Sequence, residues 1–237
     1  MKSIVYTITE DVFSLFPDYI RGVVVLKDVR NGPSPAELVA LLREAEERVR
    51  SEVDPDRVSE HPRIASWREA FRKTGVKPAE FRSSIEAMVR RVMKGNELPS
   101  ISALVDIGNV LSLRYLVPTG GHSLDDVQGD IALRFATGEE TFIPFGEEKE
   151  EHPLKGEIIF AEGDTVMTRR WSWRQGVHTL TLPETKFLEF NVDGLPPVSR
   201  GDVEAVCGEV MDLASRFCGG TGRYSLLTRS TPSMTLS

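Results

Sequence analysis

Cysteine is scarce in this sequence. Only Cys207 and Cys218 occur among 237 residues, too few and too far apart for a disulfide scaffold or a CxxC metal or redox site. Cys207 falls on the apolar stripe Val203, Val206, Cys207, Val210, Ala214, Phe217, where a small buried hydrophobe is expected. The four histidines, His61, His122, His152 and His178, show neither HExxH nor any other metal spacing, so no metal and no cofactor is expected. Long apolar runs are missing too. The longest, Leu38 to Leu42, is far short of the roughly 18 residues of a membrane span, and the amino-terminal MKSIVYTITE turns polar within a few residues. A cytoplasmic location is expected. Nucleophile and phosphate-loop signatures are absent: GHSLD carries Asp125 where a GxSxG elbow has glycine, and GGTGR follows a helix end, where glycine acts as a cap.

What remains is an ordinary globular composition, 40% hydrophobic and 27% charged, enough for one large domain or two intimately packed subdomains. Residues 2–8 and 22–29 read as strands, with the aromatic-rich FSLFPDY between them. Ser34, Pro35 and Glu37 read as an N-cap, an N1 proline and a capping-box acid, opening a helix with Leu38, Leu41, Leu42, Ala45 and Val49 at helical spacing. Trp67, with Ile64 and Phe71, lies on a stripe that reads as core. Beyond Phe135 the chain reads as all-β, with strands at 141–145, 157–160, 165–169, 178–182 and 186–192. A final helix over 202–217 ends at Gly219-Gly220. The expected organisation is a strand-helix segment (1–60) packed on a main domain (61–224), with a loosely ordered tail (225–237).

Charge is unevenly spread. Between Arg63 and Lys94 there are nine basic residues and three acidic ones, a local balance of +6 that leaves −13 on the rest of a chain whose net charge is −7. A basic face on an acidic protein suits a polyphosphate ligand, and Lys73, Lys77, Arg82, Arg90 and Arg91 are the candidate contacts. The alternative is that Arg82, Glu86 and Arg90, spaced four apart on one helix, simply pair with one another.

The chemistry concentrates in residues 98–135. A helix-period segment (Ile101, Leu104, Val105, Leu111) leads into a polar turn, and a strand with alternating Ile131, Leu133 and Phe135 follows. In the turn, Gly120 and Gly121 permit close ligand approach, beside His122, Ser123, Asp125 and Asp126. A second cluster is RRWSWRQ. Read as extended, it sets Arg169, Trp171 and Trp173 on one face and Arg170 and Arg174 on the other, a flat wall beside an anion-matching fork. The alternative there is a cation–π ladder at a sheet edge. Glu157 is a candidate polar group on a neighbouring strand, or an ordinary salt-bridge partner of these arginines.

The ordered blocks RSSIEA, VDIGN, GGHSLD, QGDIALR, GEIIFAEGD and RRWSWRQ, continuing through the Thr185 segment, resemble the B3/B4 domain of the phenylalanyl-tRNA synthetase beta subunit, especially its free-standing relatives. The resemblance is best between about residues 63 and 190. It implies an α+β fold of mixed sheets with helices packed on them, in two intimately associated subdomains. It also implies tRNA as partner and, in the synthetase, hydrolysis of tRNA carrying the wrong amino acid. The editing pocket would orient the aminoacyl ester and a water by positioning and oxyanion stabilisation. Carried onto this sequence, the catalytic positions are His122, Asn109 and Glu157, and the substrate-binding ones Gly120, Gly121, Ser123, Asp125, Arg170, Trp171, Trp173, Arg174 and Gln175. The family's His-Ala-Phe-Asp stretch corresponds to the neighbourhood of Gly120 to Ser123, its histidine falling at a glycine with His122 as the substitute after a small shift. The acidic residue that recognises a tyrosine hydroxyl falls near Gln175. The expected activity is a stand-alone deacylase acting in trans. A non-catalytic RNA- or partner-binding module, or a free amino acid or small carboxylate pocket using Arg170 or Arg174, are the alternatives. No ATP-binding signature is present, so a ligase is not expected.

Overall fold

The computed structural model describes residues 3–236, and in it two sheets share the strands of the chain in an interleaved order. The first half contains β1 (Val5–Ile8), α1 (Glu10–Leu15), β2 (Ile20–Lys27), α2 (Ala36–Glu52), α3 (Pro62–Lys73), α4 (Ser84–Met93) and α5 (Ala103–Tyr115). After it come β3 (Thr119–Ser123), β4 (Ile131–Phe135), β5 (Ile158–Glu162), β6 (Thr165–Arg169), β7 (Arg174–Gln175) and β8 (Phe187–Gly194). The chain closes with α6 (Arg200–Cys218), β9 (Thr221–Leu227) and β10 (Ser233–Thr235). One sheet has the order β10-β1-β4-β5-β6-β7, and the other β3-β8-β2-β9. All pairings are antiparallel except β1 with β4. The fold is therefore α+β, with its first 60 residues supplying one strand to each sheet.

Strand β8 shows how sequence alternation builds these layers. Leu188, Phe190 and Val192 point one way, and Glu189, Asn191 and Asp193 the other, as period-2 geometry requires. Cross-strand partners share a face, so Gly22, Val24 and Gly121 join the apolar side, while Arg21, Val23, Gly120 and His122 join the polar side. Helices α5 and α6 cover the apolar side. Gly22 is obligatory there, because a Cβ would sit 2.3 Å from Cys207 Sγ of α6. The polar side faces the six-stranded sheet, which presents Ile8, Leu133, Phe160, Thr168 and Gln175 as one cross-strand row.

An ion pair inside the four-stranded sheet reaches across to the other sheet through Tyr6. Arg21 donates through Nε and Nη2 to the two carboxylate oxygens of Asp193 at 2.6 and 3.1 Å, and through Nη1 to Tyr6 of the opposite sheet at 2.6 Å. Tyr6 in turn donates to Asn191 Oδ1 at 2.6 Å, and Tyr19 donates to Asp193. All five are buried. The aromatic rings continue the seam: Trp171 meets Phe16, Tyr19 and Trp67 edge-on at 4.7 to 5.0 Å, confirming Trp67 as core.

Several elements differ from the sequence expectations. The strand expected over 2–8 begins at Val5, and its first residue, Lys2, lies outside the described residues. FSLFPDY contributes to the short helix α1. Ser34 does not cap α2: its hydroxyl donates to Asp106 of α5 at 2.6 Å, and Pro35 occupies the N-cap without a side-chain bond. Residues 141–145 form only isolated bridges, and 177–179 form a 3-10 turn instead of a strand. GGHS is edge strand β3, not a turn. RRWSWRQ is the β6–β7 hairpin, not one extended strand, because Arg170 and Trp171 adopt positive φ of 48° and 63°. The tail is tied down, with β9 paired to β2 and β10 to β1.

Arg21→Met should leave the Asp193 carboxylate buried without its partner and cost about 3–5 kcal/mol of stability. Urea unfolding measures this, and the double variant Arg21→Met/Asp193→Leu should recover part of the loss. A single variant as stable as wild type would show that the ion pair does not hold the sheets.

Candidate active site between the two sheets

At the open end of the polar seam lies a pocket of about 170 Å³. The four-stranded sheet contributes Arg21, Gly120, His122, Asn191 and Asp193; the six-stranded sheet contributes Phe160, Thr168 and Gln175. The β6–β7 turn closes one side with Trp171, Ser172 and Trp173, while α4 lends Ser84 and Met88, and α5 lends Asn109. No atom lies within 4 Å of where a Gly120 Cβ would stand, so the glycine gives the pocket its open wall. The hydroxyls of Thr119 and Ser172, both lining the pocket, are buried with no hydrogen-bond partner among the described residues. Such groups are costly if left unpaired and are available to a polar ligand.

His122 is wedged between hydroxyls. Its Nδ1 lies 2.7 Å from Thr179 Oγ1 and its Nε2 3.2 Å from Thr168 Oγ1, with the Phe160 ring edge-on at 5.1 Å. Burial, with smaller contributions from Arg21 and His178, pulls its pKa down to about 3. The imidazole is thus neutral near pH 7 and engaged at both nitrogens, suited to orienting Thr168 and a bound water rather than to taking a proton. Asn109 is half-buried, and its side-chain amide makes no hydrogen bond among the described residues. Beneath the floor, Glu189 is fully buried, and burial raises its pKa well above the usual carboxylate range. Its Oε1 accepts from Asn191 Nδ2 at 3.0 Å, which fixes the amide orientation of Asn191.

Of the residues expected at the site, the pocket gathers Asn109, Gly120, Gly121, His122, Trp171, Trp173, Arg174 and Gln175. Ser123, Asp125, Glu157 and Arg170 lie outside it. Asp125 accepts from the backbone of Lys186 and Phe187 at 2.9 and 3.1 Å, so it pins the loop entering β8, with Ser123 beside it. Glu157 is buried against Arg169, which donates to both of its oxygens at 2.9 Å. This is the salt-bridge reading of Glu157. Arg170 is turned away by its positive φ and lines a different cavity. Arg174 reaches the pocket rim but pairs with Glu147 at 2.7 Å. Sequence reasoning missed Arg21, Asn191, Asp193, Phe160 and Thr168. The available signal was an arginine heading the apolar run IRGVVVL and the polar alternation in LEFNVD.

The basic face divides. Arg82, Arg90, Arg91 and Lys94 surround a concavity of about 370 Å³ lined otherwise by Ala87 and Asn96, with no carboxylate. Lys73 lies in a cleft beside Phe16 and Tyr19, and Lys77 borders the Arg170 cavity. Glu86 is buried and pairs with Arg68 and Arg90 at 2.7 and 2.8 Å, so the Glu86–Arg90 half of the expected ladder forms, while Arg82 lies before α4 and takes no part in it.

Because unfolded histidine binds a proton below about pH 6.5 and folded His122 only near pH 3, the unfolded state binds more protons between those values. Stability therefore falls as pH drops through that window, by up to about 1.4 kcal/mol per pH unit. His122→Gln lacks this component, and the wild type's advantage in urea midpoint should shrink from pH 6.5 to pH 4. A difference that stays constant would mean that His122 titrates alike in both states.

No curated protein matches this chain in sequence. Among solved structures, an N-terminal fragment of the phenylalanyl-tRNA synthetase beta-subunit from Pyrococcus horikoshii aligns at 10% identity and a TM-score of 0.48, over 94% of this chain and 51% of that one. The chain thus spans about half the length of that fragment. The family profile described as the B3/4 domain matches residues 66–219. That span takes in α4, α5, α6 and the lining of the inter-sheet pocket apart from Arg21, and with it the chain belongs to the B3/4 domain family.

Proposed function

We propose that this domain binds tRNA and hydrolyses the ester of mischarged aminoacyl-tRNA in trans, with the aminoacyl group in the inter-sheet pocket. The observation that carries the reading is the double role of α4. Its Ser84 and Met88 line the pocket, while Ala87, Arg90, Arg91 and Lys94 at its end border the cationic concavity with Arg82. At 1.5 Å per residue, Ser84 and Arg91 are about 10 Å apart along one rigid helix. A phosphodiester chain seated on the concavity has its end within reach of the pocket, and charge complementarity favours that seating.

Hydrolysis needs water to add to the ester carbonyl carbon, the bond to the ribose oxygen to break, and that oxygen to regain a proton. The site offers position and dipoles for these steps. Neutral His122 and Thr168 orient a water, the free Asn109 amide is a donor for the developing oxyanion, and Trp173 walls the aminoacyl side chain. A fully engaged, neutral histidine leaves proton removal to the substrate's own ribose hydroxyl and to solvent.

The decisive experiment offers the protein a panel of tRNAs mischarged with aromatic and small amino acids and scores ester loss. Turnover on at least one member is expected, and Gly120→Val, whose side chain enters open space at an ordinary φ, should lower it at least tenfold without shifting the unfolding midpoint. Binding of tRNA without turnover on any member would favour the non-catalytic module.

Binding should depend on Arg82, Arg91 and Lys94, none of which is paired to a carboxylate among the described residues, whereas Arg90 is committed to buried Glu86. Each phosphate contact removed flattens the log–log salt slope by about 0.7 to 0.9, so the triple alanine variant should flatten it by about 2 to 3. An unchanged slope and affinity would remove the concavity from the interface.

A further inference from the structure

Behind the β6–β7 turn, on the far side of Trp173 from the inter-sheet pocket, lies a second cavity of about 410 Å³. Its lining brings the guanidinium of Arg170 together with the carboxylates of Glu157 and Glu80. The Cζ atom stands 3.7 Å from the centre of the Phe81 ring and 4.4 Å from that of Trp173, so two aromatic rings hold the cation without using its N–H donors. Arg170 is 93% buried (7% exposed), and its Nη1 has no hydrogen-bond partner among the described residues. The nearest carboxylate oxygen, Glu157 Oε2, is 3.6 Å from Nη2 and already accepts from Arg169 at 2.9 Å. Two further cations, Lys77 and Lys155, line the mouth. Lys77 is paired with Glu80 at 3.2 Å, but both of these side chains are largely exposed, and such a pair contributes little. Lys155 is exposed with no carboxylate partner among the described residues.

The turn is built to hold Arg170 there. Two successive non-glycine residues at positive φ are strained, and the strain is offset by specific bonds: Arg170 N to Glu157 Oε1 at 3.2 Å, Trp171 N to Ile158 O at 2.8 Å, and Ser84 N of α4 to Ser172 O at 2.7 Å. A buried cation whose charge is offset only by rings and a shared carboxylate, with donors left over, has the composition of an oxyanion receptor.

We propose that this second cavity binds a phosphate group, with Arg170 supplying the fixed donors and Lys155 and Lys77 closing over the anion. The group comes either from a small phosphorylated molecule or from a nucleic-acid backbone. This inference does not rest on the deacylase reading, since the cavity and the inter-sheet pocket are lined by different residues.

The test is made in the Arg82→Ala/Arg91→Ala/Lys94→Ala background, so that the concavity on α4 does not contribute. Inorganic phosphate and pyrophosphate, titrated at constant ionic strength against chloride, should give saturable binding by calorimetry and raise the unfolding temperature. Lys155→Glu, a surface change that spares the fold, should weaken binding at least tenfold, as should Arg170→Gln. Displacement of bound phosphate by a short single-stranded RNA would identify the backbone as source, and retention would identify a small molecule. The absence of any phosphate effect beyond that of chloride, or Lys155→Glu and Arg170→Gln proteins that bind as the background does, would overturn the proposal.

Discussion

The Arg21–Asp193 pair is the constraint on which the rest of this structure turns. A charged pair at the meeting of two sheets is tolerated only if its remaining hydrogen-bonding positions are filled. Here Tyr6 and Tyr19 fill them, and Trp171 Nε1 donates to the Tyr19 hydroxyl at 3.1 Å. Each of these residues is thereby fixed: Tyr6 places β1 in the six-stranded sheet, Tyr19 precedes β2, and Trp171 anchors the strained β6–β7 turn. The seam dictates where the sheets cannot close, and the pocket is the place where apolar filling gives way to Gly120, Thr168 and Asn191.

Burial of this kind also sets the chemistry. His122 in the pocket and Glu189 beneath its floor are both driven towards their neutral forms, one pulled down and the other pushed up by the same loss of water. The solvent-facing positive charge lies instead around the concavity at the end of α4, and of the two deeply buried arginines outside the seam, Arg169 is held by Glu157 and Glu151 and Arg170 by rings. The pocket's charges are the mutually paired Arg21 and Asp193 and the rim residue Arg174, while the concavity by α4 is lined by cations without a carboxylate, a division that suits the proposed substrate.

Much of the architecture was legible. Amphipathic spacing located α2, α5 and α6, and strand alternation located β6 to the residue and β8 to within two. The blocks shared with the family were legible as blocks, but their polar residues mostly fasten the fold. Asp106 of VDIGN accepts from Ser34, Ser100 and the backbone of Ile101; Asp130 of QGDIALR accepts from Val5 N; Glu162 of GEIIFAEGD accepts from Gln128 N and Gly129 N. Local pattern cannot separate a carboxylate that fastens the fold from one that faces a ligand, because the partners Ser34, Val5, Gln128 and Gly129 all lie more than 30 residues away. The pocket floor was illegible for a related reason: Arg21, Asn191 and Asp193 sit inside strands and acquire a role only through cross-strand register. RRWSWRQ misled because two positive φ values on non-glycine residues leave no trace in composition.

The strict division of β8 has a consequence for how such a domain diversifies. Its even positions belong to the helical layer and its odd positions to the seam, so changes at the odd positions need not propagate into α5 or α6. The scaffold can be inherited intact while the chamber is re-lettered. A one-residue insertion in β8 would do the opposite, sending three polar side chains into the helical layer and three apolar ones into the chamber. Over evolutionary time, drift in ligand preference should therefore appear as point substitution at alternate sites of this strand, with its length held fixed.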